Sequence, residues 1–362
     1  MFVELHYPDS ISNEELDVYL ANGWFRMGQA IFTTNFLKFN DIFHSAIWLR
    51  IDLLSFETTK FQQKMLKTNA KFEVQIQPLT LAPEQEELFS KYRNHIAFDA
   101  APSVRNLLFG EQTIKPIYDT YEINIYDNEK LIAVGFFDLG QQSAAGISCF
   151  YDPAYKKYSL GKYLMFLKME FCRKQGCIFF YPGYFSPGYH LFDYKLDLAK
   201  PSLHYLDLIT NAWFPFEAYS PTQIPFHIMC KKLRELGDYL YKQNIKYQFQ
   251  YYDFFDADMI RNLNGLGLFD YPVFLVCSQL DDTLFIPMLV FNVCEQQYHL
   301  ILCSREYESI FTESKPEHYN AYLLQIARYL YTGESIEEMA DVIEMCGREM
   351  KSLESHQGLF NS

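Results

Sequence analysis

Three lysines, a serine and a glycine between residues 156 and 162 have the chemistry to bind a phosphate group. They are Lys156, Lys157, Ser159, Gly161 and Lys162, and they lie between a predicted strand and a predicted helix. The first turn of a helix exposes unpaired backbone N–H groups and the positive end of the helix dipole, which together attract phosphate. The segment therefore indicates a phosphate site, and the alternative is an ordinary helix start with solvated lysines.

A second group of four lysines follows helical spacing nearer the N-terminus. They are Lys60, Lys64, Lys67 and Lys71. No acidic residue occurs in 58–72, although the 362-residue chain has 31 Lys and Arg against 45 Asp and Glu, a net charge of −14. So acidic a chain repels nucleic acid unless positive charge is concentrated locally. We interpret the four lysines as one helix face that contacts a phosphate backbone, the alternative being a solvated face.

The elements around the phosphate segment alternate between strands and a helix. Alternation and turn residues predict strands at 121–126, 131–139 and 145–151, a helix at 159–175 with Ser159 as its N-cap, and a buried strand at 177–181. Three strands, a helix and a strand form a mixed α/β unit. An amphipathic helix at 83–96 is expected to pack on this sheet.

The densest set of motifs runs from residue 151 to residue 195. It consists of Y-D-P at 151–153, S-L-G-x-Y at 159–163, Y-x-G-Y at 181–184, P-G at 187–188 and Y-K at 194–195. In this order and spacing the motifs resemble the core of the arginyl/leucyl-tRNA-protein transferases, and the similarity extends over about residues 15–205. The resemblance implies a GNAT-like fold with flanking helices. It also implies transfer of arginine or leucine from aminoacyl-tRNA to the N-terminal amine of an acceptor protein with an acidic first residue, a step of the N-degron pathway.

The resemblance implies a role for each of several candidate site residues. As catalytic residues, Asp138 would orient or deprotonate the acceptor amine, Tyr184 would stack on the terminal adenosine, and Lys195 would pair with an acceptor carboxylate or a phosphate. Candidates for substrate binding are Arg26, Arg50, Tyr181, Tyr194, Ser159 and Gly161. Candidates for tRNA binding are Lys60, Lys64, Lys67, Lys71, Lys156, Lys157 and Lys162. The structural alternatives are a turn cap for Asp138, core positions for the tyrosines and surface salt bridges for the two arginines.

Departures from the family pattern keep two other functions open. Residues 33–40 hold no cysteine where members often have a cluster, so no metal and no cofactor are expected besides aminoacyl-tRNA as co-substrate. Leu191 stands where the family usually has a basic residue, and Asp193 adds an acid nearby. The alternatives are a GNAT-like acyltransferase that uses acyl-CoA and a catalytically silent protein that binds tRNA or peptides.

The resemblance, together with charge and element order, predicts three parts: an N-terminal lobe at 1–75, a GNAT-like catalytic domain at 76–220 and an acidic α/β extension at 221–362. The extension has 11 basic and 20 acidic residues, so it is not expected to hold tRNA. Its predicted elements are a helix at 226–243, strands at 273–279, 284–293 and 298–303, and helices at 317–331 and 336–350. The expected partners are aminoacyl-tRNA and an acceptor N-terminus, with no DNA and no membrane, and the expected location is the cytoplasm.

Overall fold

The computed structural model describes residues 1–96, 100–110, 115–277, 285–308, 318–320 and 322–357. These residues form sheets of eight, six and three strands and a two-stranded hairpin. Within the same ranges, no helix combines the length and the apolar character needed to cross a membrane.

Residues 1–45 form the three-stranded sheet, one helix and the hairpin. Their bounds are β1 (Val3–His6), α1 (Asn13–Ala21), β2 (Phe25–Met27), β3 (Ala30–Thr34), β4 (Phe36–Phe39) and β5 (Ile42–Ser45). β3 lies between β1 and β2, and β4 pairs with β5. α1 begins at a capping box in which the Ser12 hydroxyl accepts the backbone N–H of Glu15. It ends before Gly23, whose φ of 75° places it in the left-handed region that favours glycine.

The central sheet is built from strands β6 to β13. Its elements and those packed on it are β6 (Ile47–Asp52), α2 (Lys60–Asn69), β7 (Glu73–Pro78), α3 (Pro83–Arg93), α4 (Val104–Phe109), β8 (Thr120–Asp127), β9 (Lys130–Leu139), β10 (Ser143–Tyr151), α5 (Leu160–Lys174), β11 (Phe179–Phe185), β12 (Leu203–Asp207) and β13 (Ala212–Pro215). The strand order is β13-β12-β6-β11-β10-β9-β8-β7. Among the strand pairs described in this sheet, only β10 and β11 run parallel.

Helices cover both faces of the central sheet. The apolar side of α5 is buried with residues of β6, β8 and β9, and Met65 of α2 belongs to the same core. Residues of α3 and α4 form a separate core with β9 and β10. Because α5 connects the parallel strands β10 and β11, β10-α5-β11 is a crossover unit. The predicted mixed α/β fold with flanking helices is confirmed.

The chain after residue 224 forms the six-stranded sheet with two helices. Its elements are α6 (Pro225–Lys242), β14 (Tyr247–Tyr252), β15 (Val273–Cys277), β16 (Phe285–Asn292), β17 (Gln297–Glu308), β18 (Tyr319–Asn320), β19 (Tyr322–Gly333) and α7 (Ile336–Gln357). The strand order is β18-β14-β15-β16-β17-β19. α6 and α7 contact each other, and each contacts strands of this sheet.

The helix predicted at 317–331 is wrong where the structure describes it. Residues Tyr322–Gly333 form β19, which pairs antiparallel with β17 along its whole length, with three irregularities in register. Leu, Gln, Ala and Arg give this segment helical character, but a long ladder to a neighbouring strand overrides local propensity. Residues 317 and 321 of the predicted helix lie outside the described residues, as do 278–279 and 284 of the predicted strands.

The N-terminal segment contributes side chains to the core of the six-stranded sheet. Phe43 of β5 stacks on Phe226 of α6 at 5.7 Å between ring centroids and on Tyr251 of β14 at 5.5 Å. Phe2 and Phe36 are buried in the same cluster. Residues 1–45 therefore close the C-terminal core as well as contacting the central sheet.

Candidate functional site

The parallel strands β10 and β11 separate shortly after they begin. They pair only at Ser143–Phe179, Ala144–Phe180 and Ala145–Tyr181, and beyond these positions they diverge. Each strand is also irregular on its other side at the point of separation: β10 has a bulge between Gly146 and Ser148 against β9, and β11 shifts register against β6 after Phe180. The result is an open split in the sheet, which exposes backbone groups of β10 that β11 no longer pairs.

A cavity of about 210 Å³ occupies this split. Both strands, α5, the 3₁₀ segment His190–Asp197 and the N-terminal lobe line it. The lining residues are Phe25, Arg26, Phe32, Gly146, Ile147, Ser148, Cys149, Met165, Pro182, Gly183, Tyr184, Phe192, Tyr194 and Lys195. Of the predicted site residues, the structure thus brings Arg26, Tyr184, Tyr194 and Lys195 together at one cavity.

Lys195 is a buried cation held by a backbone carbonyl. Its Nζ donates to the carbonyl oxygen of Tyr184 at 2.6 Å and lies 4.8 Å from the centroid of the Phe192 ring. Burial lowers the pKa of Lys195 to about 7. Gly183 makes room for the amine: its φ is 87°, and a Cβ there would lie 3.2 Å from Nζ. Burial at this position thus favours the neutral amine over the ammonium ion.

The three tyrosines of the motif differ in whether they reach the cavity. Tyr184 contacts Trp48 and Phe192 edge to face, and burial raises its pKa to about 12. Tyr194 also lines the cavity, its side chain is 40% exposed, and burial around its hydroxyl raises its pKa. Tyr181 is 3% exposed and is absent from the cavity lining that the structure describes. It packs in another core instead, so among the three tyrosines only Tyr184 and Tyr194 reach the cavity.

Arg26 and Asp138 form a buried ion pair, so surface salt bridging, the alternative considered for Arg26, is wrong. The Arg26 guanidinium donates to Asp138 Oδ1 at 2.7 Å and to Thr120 Oγ1 at 2.8 Å, and its other N–H groups donate to the carbonyls of Gly28 and Leu108. The side chain of Arg26 is 2% exposed and that of Asp138 is fully buried. Burial raises the pKa of Asp138, while the charge of Arg26 acts in the opposite direction.

Asp138 lies behind the cavity wall and contacts Arg26, which lines the cavity. The carboxylate is absent from the described cavity lining, whereas its partner Arg26 is part of it. Asp138 therefore fixes Arg26 at the cavity wall. A direct role in orienting or deprotonating an amine stays a prediction.

Arg50 is held between aromatic rings. Its guanidinium carbon lies 4.3 Å from the ring centroid of Phe179 and 4.7 Å from that of Trp213. Stacking of this kind stabilises a desolvated guanidinium. A solvent-exposed salt bridge, the alternative considered for Arg50, is therefore wrong as a description of its main contacts. Arg50 is also absent from the described cavity lining.

The segment before α5 differs in one detail from its prediction. Ser159 occupies the N-cap position, but its hydroxyl accepts no backbone N–H from α5 because its backbone is left-handed, with φ 54° and ψ 41°. The cap predicted for Ser159 is thus wrong in its hydrogen bonding. The first turn of α5, which contains Gly161, still presents N–H groups that a helix cannot satisfy internally. Lys156 and Lys157 are exposed beside it.

The structure brings the two predicted basic segments together. Lys71, just beyond α2, donates from Nζ to the Tyr158 hydroxyl at 2.9 Å, and Lys157 Nζ lies 5.1 Å from the centroid of the same ring. Asn69 of α2 donates to the Tyr158 carbonyl. Lys60, Lys64 and Lys67 are exposed on α2. All seven predicted tRNA-binding lysines thus lie on or beside the packed pair formed by α2 and the start of α5, and their contact with tRNA stays a prediction.

Leu191 and Asp193, the two positions that depart from the family pattern, do not add an acidic side chain to the cavity. Leu191 is 40% exposed. Asp193 Oδ2 lies 2.8 Å from His190 Nδ1 at the surface, and neither residue is among those that line the cavity in the described structure. The altered charge therefore lies outside the split.

Residues of the β10 bulge are the part of the site that sequence reasoning missed. Lys168 of α5 is fully buried and donates from Nζ to the carbonyls of Phe136 and Ser148, each at 2.7 Å. Its Nζ also lies 3.2 Å from the thiol of Cys149, which lines the cavity. A lysine on the otherwise apolar face of α5 was the available signal. Among the described residues, no group of three or more His, Cys, Asp or Glu is placed to hold a metal ion.

Comparison with known families tests the predicted resemblance. Residues 84–204 match the family model described as arginine-tRNA-protein transferase, C terminus. Residues 84–204 are thus similar to this transferase family. The match spans α3 to the start of β12 and so includes the whole split between β10 and β11. The predicted resemblance and the predicted enzyme class, an aminoacyltransferase, are confirmed.

Curated relatives match about half of the chain. An aspartate/glutamate leucyltransferase of Leptospira interrogans is 26% identical over 193 residues, which are 52% of this chain and 74% of the relative. An enzyme of the same name from Campylobacter jejuni is 24% identical over 204 residues, 54% of this chain and 82% of the relative.

The likeness to solved structures is partial. One of them, L-PGS from Bacillus licheniformis, has a TM-score of 0.29 and 10% identity, and the match covers 50% of this chain and 52% of that one.

Proposed function

We propose that the protein transfers leucine from leucyl-tRNA to the N-terminal amine of proteins that begin with Asp or Glu. The sequence alone left arginine and leucine open, and the names of the relatives favour leucine. The observation that carries the proposal is the split between β10 and β11, which lies inside the matched residues 84–204. Its cavity holds Lys195, Tyr184 and Tyr194 of the motif.

The reaction needs no strong base. A protein α-amine has a pKa of about 7.7–8.0, so part of it is unprotonated at neutral pH. Its lone pair attacks the carbonyl carbon of the aminoacyl ester, and the C–N bond of an amide forms. The C–O bond to the tRNA ribose then breaks, and the ribose oxygen leaves as a hydroxyl while the amine loses one proton.

The split supplies two aids to this step. The backbone N–H groups along Gly146–Cys149 that no longer face β11 are donors for the oxyanion of the tetrahedral intermediate. Lys195 accepts the proton of the attacking amine, since its pKa of about 7 leaves a large share of it neutral at physiological pH. Holding amine and ester together in one small cavity provides the remaining acceleration.

The alternative role of Lys195 is to bind the carboxylate of the acceptor residue. The carboxylate of an acidic acceptor residue beside Nζ would raise the pKa of the lysine, because an opposite charge favours the charged form. Proton acceptance and carboxylate recognition therefore exclude each other in one complex, and the pH dependence of transfer distinguishes them.

The proposal is tested with charged tRNA and short peptides. Purified protein is incubated with labelled leucyl-tRNA or arginyl-tRNA and with peptides that begin with Asp, Glu, Lys or Arg, and label on the peptide is counted. We expect leucine on the Asp and Glu peptides. Transfer of the acyl group of acetyl-CoA instead would support a GNAT-like acyltransferase, and tRNA binding without any transfer would support a silent binding protein.

A further inference from the structure

A second cavity lies between α2 and α5. It has a volume of about 370 Å³, within the range of small-ligand pockets of about 300–1,000 Å³. Its lining residues are Thr59, Phe61, Gln62, Met65, Lys162, Phe166, Met169, Asp197 and Leu198. This lining combines apolar side chains with polar and charged ones, which suits a flat, partly apolar group.

Phe61 is an aromatic ring at the mouth of this cavity. Its side chain is 57% exposed although it lies on α2 among the predicted tRNA-binding lysines. Lys64 is its neighbour one helical turn away, and Lys162 Nζ lies 5.8 Å from the centroid of the Phe61 ring. An exposed ring flanked by cations is the arrangement on which single-stranded nucleic acids stack their bases.

The charge around the cavity matches a nucleotide. Lys60 and Lys64 are exposed on α2, and Lys162 and Lys200 both approach Asp197, at 3.9 Å and 3.0 Å. Two of these cations therefore share the Asp197 carboxylate, and Lys60 and Lys64 add exposed positive charge on α2, in a chain whose net charge is −14. Such a local excess of positive charge attracts phosphates.

The two cavities lie beside each other along the same elements. α5 contributes Met165 to the cavity in the split and Phe166 to the second cavity. The 3₁₀ segment His190–Asp197 likewise contributes Lys195 to the first and Asp197 to the second. The same helix and the same 3₁₀ segment thus line both cavities.

We propose that Phe61 stacks an unpaired nucleotide of the donor tRNA in the cavity between α2 and α5, while the lysines around it contact the adjoining phosphates. This rests on the proposed function, because the nucleotide belongs to the aminoacyl-tRNA. Stacking and charge make separable contributions: the ring adds affinity without salt dependence, and each lysine–phosphate contact adds to the salt dependence.

The test measures binding of deacylated tRNA at several salt concentrations. We expect Phe61→Ala to weaken binding roughly 5- to 150-fold, the effect of losing one stacked base, with an unchanged slope of log affinity against log salt. Phe61→Trp keeps the stacking surface and is expected to bind within about threefold of the unsubstituted chain. Tyr241→Ala removes an aromatic side chain that is 75% exposed on α6 and serves as the matched control, with no change expected.

Thermal unfolding of each variant checks that the fold is intact. Equal tRNA affinity for Phe61→Ala and the unsubstituted chain would overturn this inference and leave the proposed function standing. A raised KM for the acceptor peptide with unchanged tRNA affinity would also overturn it, since the cavity would then hold the acceptor. Loss of the proposed function itself has another signature, namely an unsubstituted chain that neither binds tRNA nor transfers leucine.

Discussion

The guanidinium of Arg26 and the carboxylate of Asp138 meet at 2.7 Å although 112 positions separate them in the chain. Both side chains are almost completely buried, so neither charge is compensated by water. The pair joins β2 of the N-terminal lobe to β9 of the central sheet and places Arg26 in the wall of the cavity.

Removing one partner of this pair is expected to destabilise the fold. Arg26→Met leaves the Asp138 carboxylate buried and unpaired, which costs about 3–5 kcal/mol of the free energy of unfolding. The double variant Arg26→Met/Asp138→Leu should regain part of that loss, because no uncompensated charge remains. Urea unfolding measures both, with exposed Arg105→Met as the control, expected to stay within about 0.5 kcal/mol. An equal decrease in the free energy of unfolding in all three variants would contradict a buried ion pair between Arg26 and Asp138.

Lys195 should make the stability of the protein depend on pH. Its pKa is about 7 in the folded chain and about 10.5 when the chain is unfolded. Between these values the unfolded state binds more protons, so the free energy of unfolding rises with pH over this window. Lys195→Met is expected to remove that rise and to stabilise the protein at pH 7. Urea titrations at pH 7, 8 and 9 test this, with Lys200→Met, which alters an exposed lysine, as the control.

The same lysine should be visible in the rate of transfer. If Lys195 accepts the proton of the amine, log kcat/KM rises through two deprotonations, one near pH 7 and one near the amine pKa of about 7.7–8.0. Lys195→Met should lose the first and lower kcat roughly 10²- to 10⁴-fold. If Lys195 instead binds the acceptor carboxylate, the variant should raise KM for Asp and Glu peptides and keep the shape of the profile.

The lysines of α2 should carry the salt dependence of tRNA binding. Lys64→Glu/Lys67→Glu is expected to weaken binding and to reduce the slope of log affinity against log salt by about 2, close to one unit per phosphate contact. Both residues are exposed, so thermal unfolding should barely change. Lys242→Glu/Lys246→Glu makes the same charge change at exposed sites after residue 220 and should leave binding intact. An unchanged slope in the α2 variant would identify those lysines as a solvated face.

Truncation after Tyr219 should yield a fragment that aggregates. Phe43 and Phe36 lie in the core that contains Phe226, and removal of residues 220–362 uncovers them together with Phe2. An exposed apolar patch of this kind promotes self-association. Size-exclusion chromatography of residues 1–219, alone and coexpressed with residues 220–362, tests this. A monomeric fragment with full transfer activity would show that the C-terminal sheet is a dispensable module.

Local sequence patterns predicted the strands and the helix around the cavity. They did not predict contacts between segments that are distant in the chain. β8, β9, β10 and α5 follow their predicted bounds within two residues, because alternation and stop signals act within a few positions. β6 lies between β11 and β12 in the sheet, although about 130 residues separate it from β11 in the chain. No sequence pattern near Arg50 predicts this pairing.

The candidate site was predictable to the same extent. Lys195, Tyr184 and Tyr194 were found because they belong to a motif on consecutive elements. The ion pair of Arg26 with Asp138 and the bulge held by Lys168 depend on how separate elements pack, and residue type alone does not reveal such packing. β19 was missed for a related reason, since its conformation is set by β17.

The stacking of Phe43 on Phe226 has a consequence for synthesis on the ribosome. The β4–β5 hairpin leaves the ribosome roughly 180 residues before its partner in α6, which at about 5–20 residues per second is a delay of roughly 10–40 seconds. During that interval Phe2, Phe36 and Phe43 have no core to enter. The newly made chain therefore exposes these apolar side chains until α6 emerges, and slower translation between residues 45 and 225 lengthens the time in which they can associate with other chains.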